Sequence, residues 1–314
     1  MQAVVDRRTF LKQSLRGGLL LAGLGLSGLN PAVAVEPFNR RGSPRLLMGL
    51  AGYSFCNYFA DVSHARDKNI ELSKRITLFD FIDYCSEHGV GAELTSYYFP
   101  PDVTEEFLIK VRRHAFLRGV PISGTAVGNT FTLPKGKKRD EQIAYVKKWI
   151  DYAQTLGTSH IRVFAGEAGK LERAETFALV REAMEECCDY AGAKGIFLGL
   201  ENHGGIVAVA DAVLDLVKAI KSPWFGINLD TGNFVTDDPY GDLARCAPYA
   251  VNVQWKTEIQ KRGQAKEPAD VGRLVQILRA AKYQGYVTLE YEASEDPWNV
   301  VPDALEKMRA LLAA

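Results

Sequence analysis

The chain has 314 residues, with 38 basic against 38 acidic side chains, 47% hydrophobic residues and 24% charged ones. The even balance excludes a nucleic-acid footprint, which is basic, and the composition excludes a disordered chain. The length suits one large α/β domain, and beyond residue 34 no segment is apolar for long enough to span a bilayer.

The N-terminus stands apart from the rest. Asp6-Arg7-Arg8-Thr9-Phe10-Leu11-Lys12 is a twin-arginine pattern, a weakly apolar Gly- and Leu-rich run follows from Gly17 to Leu29, and Ala32-Val33-Ala34 supplies a small-residue cleavage site. Residues 1–34 therefore read as a twin-arginine export signal, against an ordinary secretory signal or an uncleaved anchor. The expectation is a periplasmic or otherwise exported protein. Its partners are the twin-arginine export machinery and a small molecule, with no stable membrane insertion after cleavage and no nucleic acid; homo-oligomerisation is left open. Cleavage would leave 34 basic against 37 acidic residues. Cys56, Cys85, Cys187, Cys188 and Cys246 all lie beyond the signal and show no CxxC spacing. They read as buried thiols, with one long-range disulfide left open by an oxidising compartment.

A Pro- and Arg-containing linker covers residues 35–45. The single domain, 46–314, then alternates strands and helices. Leu46 to Ser54 reads as the first strand, and a polar and aromatic loop with Cys56, Asn57, Tyr58, Phe59 and His64 follows as a candidate lid. Helical spacing runs from Ile76 to His88, stopped by Gly89. Val90 to Tyr98 is a strand and Thr104 to Arg118 a helix, with Thr104 the N-cap before Glu105 and Glu106. Strand Val120–Val127, helix Asp140–Leu156 ending at Gly157, strand His160–Ala165 and helix Arg173–Ala193 come next. Strand Gly195–Glu201, helix Val207–Ile220, strand Phe225–Asp230, a short helix Tyr240–Cys246 and strand Ala250–Lys256 follow. Helix Asp270–Lys282, strand Tyr286–Tyr291 and helix Pro302–Leu312 close the chain. This order predicts a (β/α)₈ TIM barrel. A doubly wound open sheet would bring fewer strands and a Gly-rich first turn, and no GxGxxG is present.

In a barrel, the C-terminal strand ends converge on one face. They would carry Tyr53, Glu93, Arg162, Glu201, His203, Asp230, Asn233, Gln254, Lys256 and Glu290. Glu201 ends an apolar run and needs a partner. Asp230 and Glu290 end later strands, and three acids on one face call for a divalent cation between them. Oxygen ligands suit Mg²⁺, Mn²⁺ or Co²⁺, and Zn²⁺ if an imidazole joins. The bland alternatives are a buried Glu201–Lys256 ion pair, Glu93 as an interior hydrogen-bonder neutralised by Arg162, and Glu292 rather than Glu290 as the functional acid. His88, His114 and His160 read as structural. Tyr53, Phe55, Tyr58, Phe59, Tyr97, Tyr98 and Trp298 would either stack on a bound ring or pack loops over the barrel.

Four motifs stand in order, each at a predicted strand end: Leu200-Glu201-Asn202-His203, Asn228-Leu229-Asp230-Thr231-Gly232-Asn233-Phe234, Gln254-Trp255-Lys256 and Leu289-Glu290-Tyr291-Glu292. With them the whole domain resembles the xylose isomerase-like TIM barrels, a family of sugar isomerases and epimerases, inosose dehydratases and endonuclease-IV-type enzymes. The resemblance implies metal ligation by Glu201, Asp230 and Glu290. The family's fourth ligand, a histidine two residues before the lysine, is Gln254 here, whose oxygen could serve a hard cation. Asn233 stands where epimerases often carry a histidine. Glu201 and Glu290 would exchange a proton on opposite faces of a carbon next to a carbonyl, with the metal polarising that carbonyl. Lys256 would offset charge on the intermediate, and His203 would bind a hydroxyl or act as an acid. Substrate contacts would come from Tyr53, Glu93, Arg162, His203, Asn233 and Lys256.

The leading expectation is therefore a metal-dependent sugar or cyclitol isomerase or epimerase. The alternatives are a lyase or dehydratase that carries the same proton abstraction on to β-elimination, and a non-catalytic sugar-binding barrel. An endonuclease is disfavoured by the acidic mature chain and by the few strand-end histidines.

Overall fold

The computed structural model describes residues 35–60, 65, 69–167 and 169–313. The twin-arginine pattern of residues 1–34, and His64 in the loop after the first strand, lie outside the described residues.

The strands are β1 (Arg45–Ala51), β2 (Gly91–Thr95), β3 (Ile122–Ala126), β4 (His160–Val163), β5 (Phe197–Glu201), β6 (Phe225–Asp230), β7 (Ala250–Trp255), β8 (Glu258–Gln260), β9 (Lys266–Pro268) and β10 (Gln284–Leu289). All but β8 and β9 join one closed barrel in the order β1-β10-β7-β6-β5-β4-β3-β2. Its pairs are parallel, and β10 closes on β1 with Leu46 opposite Gly285 and Leu50 opposite Leu289. The predicted (β/α)₈ barrel is thus the fold.

The helices are α1 (Leu78–Glu87), α2 (Glu105–Leu117), α3 (Lys137–Leu156), α4 (Arg173–Gly192), α5 (Ala210–Ala219), α6 (Pro239–Cys246), α7 (Val271–Ala280) and α8 (Pro297–Ala313). Local chemistry sets their ends. Thr77 and Asp80 form a capping box on α1, and Thr104 accepts from the Phe107 N–H at the start of α2. Asp270 accepts from the Arg273 N–H at the start of α7. Helix α3 stops at Gly157, whose φ of +82° suits glycine.

The strands alternate in a telling way. Ile161, Val163, Leu198, Leu200, Ile227, Leu229, Val253, Trp255, Val287 and Leu289 belong to the hydrophobic core beneath the helices. The residues between them are polar or small: His160, Arg162, Gly199, Glu201, Asn228, Asp230, Asn252, Gln254, Thr288 and Glu290. Period-two geometry sends that second set into the barrel. The helix-facing half supplies the stability, at roughly 1.5–3 kcal/mol for each fully buried Leu, Ile or Phe. The inward half is buried too, so its polar groups must find partners within the barrel.

Boundaries differ from the sequence reading in several places. Strands β1 and β2 end at Ala51 and Thr95, where 3₁₀ turns over Gly52–Phe55 and Ser96–Tyr98 replace the predicted strand ends, and α3 starts at Lys137 rather than Asp140. Helix α5 starts at Ala210 rather than Val207, because Gly204 and Gly205 take positive φ and lead into a 3₁₀ turn over Gly205–Val207. Helix α8 starts at Pro297, ahead of Pro302, because Trp298 anchors its first turn against Phe55, Tyr58 and Tyr84. The β8–β9 hairpin is unannounced, since its strands have three residues each, too few to show alternation. All five cysteines are free and buried. Among the described residues, no helix is long and apolar enough to cross a membrane.

Candidate active site

Strand register gathers the acids. Glu201 ends β5 opposite Asn228, Asp230 ends β6 opposite Gln254, and Gln254 lies opposite Thr288, two residues before Glu290. Glu201, Asp230 and Glu290 are 2%, 0% and 4% exposed, so none of the three has bulk water for a partner. Asn202 fixes the end of β6 by donating to the Asp230 carbonyl at 2.9 Å and accepting from the Asp230 N–H at 2.8 Å.

Two buried cations answer the acids. The Lys256 ammonium lies 3.3 Å from Asp230 Oδ2 and 2.6 Å from Glu290 Oε2, and it also donates to Glu292. Arg162 Nε lies 2.9 Å from Glu201 Oε2, out of line for a hydrogen bond, while its Nη1 donates to the Val127 carbonyl at 2.8 Å. Asn233 holds the other Glu201 oxygen at 3.0 Å. The expected alternative pair, Glu201 with Lys256, is therefore replaced: Arg162 serves Glu201, and Lys256 serves Asp230, Glu290 and Glu292.

Counting Glu93, five carboxylates share these two cations. The deficit appears in their protonation. Burial, only partly offset by Arg162, pushes Glu201 up to about 7. Burial likewise pushes Asp230 up to about 8, against the pull of Lys256. Burial alone would lower Lys256, but Asp230 and Glu290 hold it above its usual range. Desolvation and opposing charge are competing causes of such shifts.

Beneath the acids lies an amide network. Asn252 Nδ2 donates to Glu93 Oε2 at 3.2 Å and to Asn228 Oδ1 at 2.8 Å. Asn228 Nδ2 donates to Gln254 Oε1 at 2.6 Å. Gln254 Nε2 in turn donates to Glu93 Oε1 at 3.1 Å and Glu290 Oε1 at 3.3 Å. In this placement the Gln254 oxygen accepts from Asn228 and its nitrogen faces the acids; a cation ligand role would require the amide to turn. Glu93, expected also as a substrate contact, is an interior hydrogen-bonder with both oxygens occupied. Burial and nearby Glu290 push it up to about 7. Arg162 contacts Glu201 rather than Glu93.

The remaining candidates sit at the rim. His203 is exposed, with its ring 4.5 Å from that of Phe164. Tyr53 packs edge-on to Tyr97 at 6.4 Å. The other loop aromatics pack on one another, with Phe59 stacked on Tyr98 at 3.8 Å and Phe55 on Trp298 at 4.6 Å. His160 is buried inside the barrel, against Gly124 and Gly199. Phe164 escaped the sequence reading, although the Arg162 guanidinium lies 4.0 Å over its ring. So did the contact of Glu292 with Lys256; their spacing in the chain carries no signal.

Among the described residues, no three His, Cys, Asp or Glu side chains form a ready-made metal cage. Lys256 stands between Asp230 and Glu290, and Gln254 turns its nitrogen inward. The donor set still suits a hard cation. Glu201, Asp230 and Glu290 offer carboxylate oxygens from three strands. Two of those oxygens, Glu201 Oε2 and Asp230 Oδ2, are buried with no hydrogen-bond donor. Without an imidazole, Mg²⁺ or Mn²⁺ suits these residues better than Zn²⁺.

A closed parallel barrel with acids at its C-terminal strand ends defines a class of TIM-barrel proteins that keep their site in the βα loops. The chain matches the xylose isomerase-like TIM barrel family over residues 79–311 and belongs to that family. A search of the curated proteins finds no match. Among solved structures, it is similar to D-psicose 3-epimerase from Clostridium cellulolyticum H10 solved with D-tagatose, at 14% identity and a TM-score of 0.67 over 85% of this chain and 99% of that one. It is similar to 3-keto-D-glucoside 4-epimerase from E. coli, at 15% identity and a TM-score of 0.62 over 85% of this chain and 100% of that one. It is also similar to a xylose isomerase-like TIM barrel protein from Mycobacterium smegmatis in complex with magnesium, at 18% identity and a TM-score of 0.64 over 86% of this chain and 96% of that one. At these identities the likeness shows the shared barrel.

Proposed function

We propose that the protein is a metal-dependent sugar or cyclitol isomerase or epimerase, moving a proton at the carbon next to a carbonyl. The observation that carries the reading is the convergence of Glu201, Asp230 and Glu290, from three strands, beside one ammonium and one guanidinium. Membership of the family supports it, as do barrels of the same fold whose names state epimerisation of psicose and of a keto-glucoside.

Glu201 and Glu290 exchange the proton. Arg162 and Asn233 hold Glu201 from two sides, and Lys256 and Gln254 hold Glu290. In the metal-free protein burial raises Glu201 above the usual carboxylate range, against the pull of Arg162, and general-base work needs the carboxylate form within reach of the substrate proton. Lys256 offsets negative charge developing on the substrate oxygen. When bound through Glu201, Asp230 and Glu290, a divalent ion supplies Lewis-acid polarisation of the carbonyl.

A lyase is the second reading, favoured by the position of His203. Its exposed imidazole stands at the rim beside an apolar cavity, where it would protonate a departing group. The same proposal places the enzyme outside the cytoplasm, on the twin-arginine pattern of residues 1–34.

The test is NMR in D₂O with keto-sugars and oxidised glycosides, with added Mn²⁺ or Mg²⁺. Deuterium entering the substrate carbon without cleavage supports the isomerase or epimerase. An unsaturated product with a freed leaving group turns the reading to the lyase. Binding with neither leaves a sugar-binding barrel.

A further inference from the structure

The loops after β3, β4 and β5 enclose a cavity of about 690 Å³. Leu133 and Pro134 come from the first loop, Phe164 and Leu171 from the second, and His203 from the third. Among the described residues that line it, only Glu167 and Lys170 carry a full charge, one of each sign. The volume falls within the range of pockets that bury a drug-sized ligand, of which one sugar ring is only a part.

Its walls are built before any ligand arrives. Asn129 extends the ladder between β3 and β4: its Oδ1 accepts from the Phe164 N–H at 3.0 Å and its Nδ2 donates to the Phe164 carbonyl at 2.9 Å. The Phe131 N–H donates to the Ala165 carbonyl at 2.8 Å. Gly166 has φ +116°, and a Cβ there would stand 2.2 Å from Thr130 Oγ1. A Cβ on Gly205 would stand 2.5 Å from the Gly166 carbonyl oxygen. The two glycines let three loops touch, and any side chain would force them apart.

The cavity and the acid cluster share a wall. The Arg162 guanidinium that meets Glu201 lies 4.0 Å over the Phe164 ring, and His203 packs on that ring at 4.5 Å. Their chemistries differ. The strand ends offer charges and amides to hydroxyls and a carbonyl. The exposed surface of the cavity is mostly apolar, with Leu133, Pro134, Phe164 and Leu171 beside the threonines, Glu167 and Lys170, so an apolar group fits its walls better than a hydroxyl-rich one. A free monosaccharide would fill only the first.

We infer that this cavity is a second subsite, which takes the neutral apolar or aromatic aglycone of a glycoside whose sugar ring lies over Glu201, Asp230 and Glu290. The inference rests on the sugar-site reading above and names its substrate class. The test is isothermal titration of the Mn²⁺-loaded protein with paired methyl and phenyl glycosides of D-glucose, D-galactose and D-xylose. Burying the phenyl group should tighten binding about tenfold to a hundredfold over the methyl glycoside of the same sugar. Leu133→Asp and Leu171→Asp, both at partly exposed loop positions, should erase that preference and leave methyl-glycoside affinity unchanged. Equal affinities for a pair in the wild-type protein, or a preference that survives both substitutions, overturns the subsite and leaves the sugar-site reading standing. Absence of binding by every probe, together with no deuterium exchange into keto-sugars, removes the sugar-site reading and the subsite with it.

Discussion

Gln254 turns its amide nitrogen toward Glu290, 3.3 Å away, and gives its oxygen to Asn228 at 2.6 Å. A flip would set the amide oxygen against two carboxylates, Glu93 and Glu290, and face the Asn228 NH₂ with another NH₂. Both contacts are fully buried, where mismatched polar groups cost the most. The amide therefore acts as a clamp that ties the barrel interior to the candidate catalytic acid. Gln254→Ala should lower stability by about 1–3 kcal/mol, the cost of leaving buried polar groups unpaired. Its Mn²⁺ affinity should stay within about tenfold of wild type. Thermal denaturation and metal titration read the two effects. A loss of Mn²⁺ binding as deep as that of Asp230→Asn would instead mean that the oxygen turns to the ion.

On the proposed reading, a divalent cation would have to compete with Lys256 for Asp230 and Glu290. Lys256→Met should destabilise the metal-free protein by roughly 3–5 kcal/mol, as removal of one partner from a buried ion pair does. Added Mn²⁺ should restore much of the loss, and the variant should bind Mn²⁺ more tightly than wild type. Melting curves with and without Mn²⁺ check this; a melting temperature indifferent to Mn²⁺ in both proteins would count against a cation site among these acids.

The acid cluster gives stability a pH signature. Burial raises folded Glu201 to about 7 and Asp230 to about 8, whereas unfolded carboxyls titrate near ~4. Between those values the folded state holds more protons than the unfolded one. The linkage slope is then negative, so this contribution to stability is present below pH ~4 and is lost as pH rises toward about 8. Asp230→Asn removes Asp230 from the titration. In metal-free protein, the stability of Asp230→Asn relative to wild type should climb from pH 5 to pH 8 in urea melts. A flat difference would mean that Asp230 is already ionised throughout.

Glu290→Gln keeps the side-chain volume and the neighbours of Glu290 but removes its basicity. Solvent deuterium exchange into a bound keto-sugar should fall about 10²- to 10⁴-fold, the span of a lost general base. Circular dichroism should show the barrel intact. Unchanged exchange would take Glu290 out of proton transfer.

His203 is exposed and packs only on Phe164 among the ring contacts of the described residues. His203→Ala should change stability by less than about 0.5 kcal/mol, as surface substitutions do. Turnover of a glycoside should drop more than deuterium exchange into a simple keto-sugar, if the imidazole serves a leaving group. Equal losses on both substrates would place it on a hydroxyl common to both.

Much of this was legible in the chain. The alternation Asn228-Leu229-Asp230 and Gln254-Trp255-Lys256 determines which side chains enter the barrel, because successive residues of a strand face opposite sides. Gly157, Thr104 and Asp270 mark helix ends for reasons that act within a few residues. The family motifs bring Glu201, Asp230 and Glu290 to one face once the eight strands are counted. What only the tertiary structure decided is who meets whom. Arg162 takes Glu201, Lys256 takes Asp230, Glu290 and Glu292, and Gln254 spends its oxygen on Asn228. These partners lie on different strands, and barrel closure with its stagger sets their distances. The cavity beside Phe164 was equally unreadable, since three loops far apart in sequence meet there through Gly166 and Gly205. Local pattern writes the face on which a residue lies; the closed sheet decides the charge it finds there.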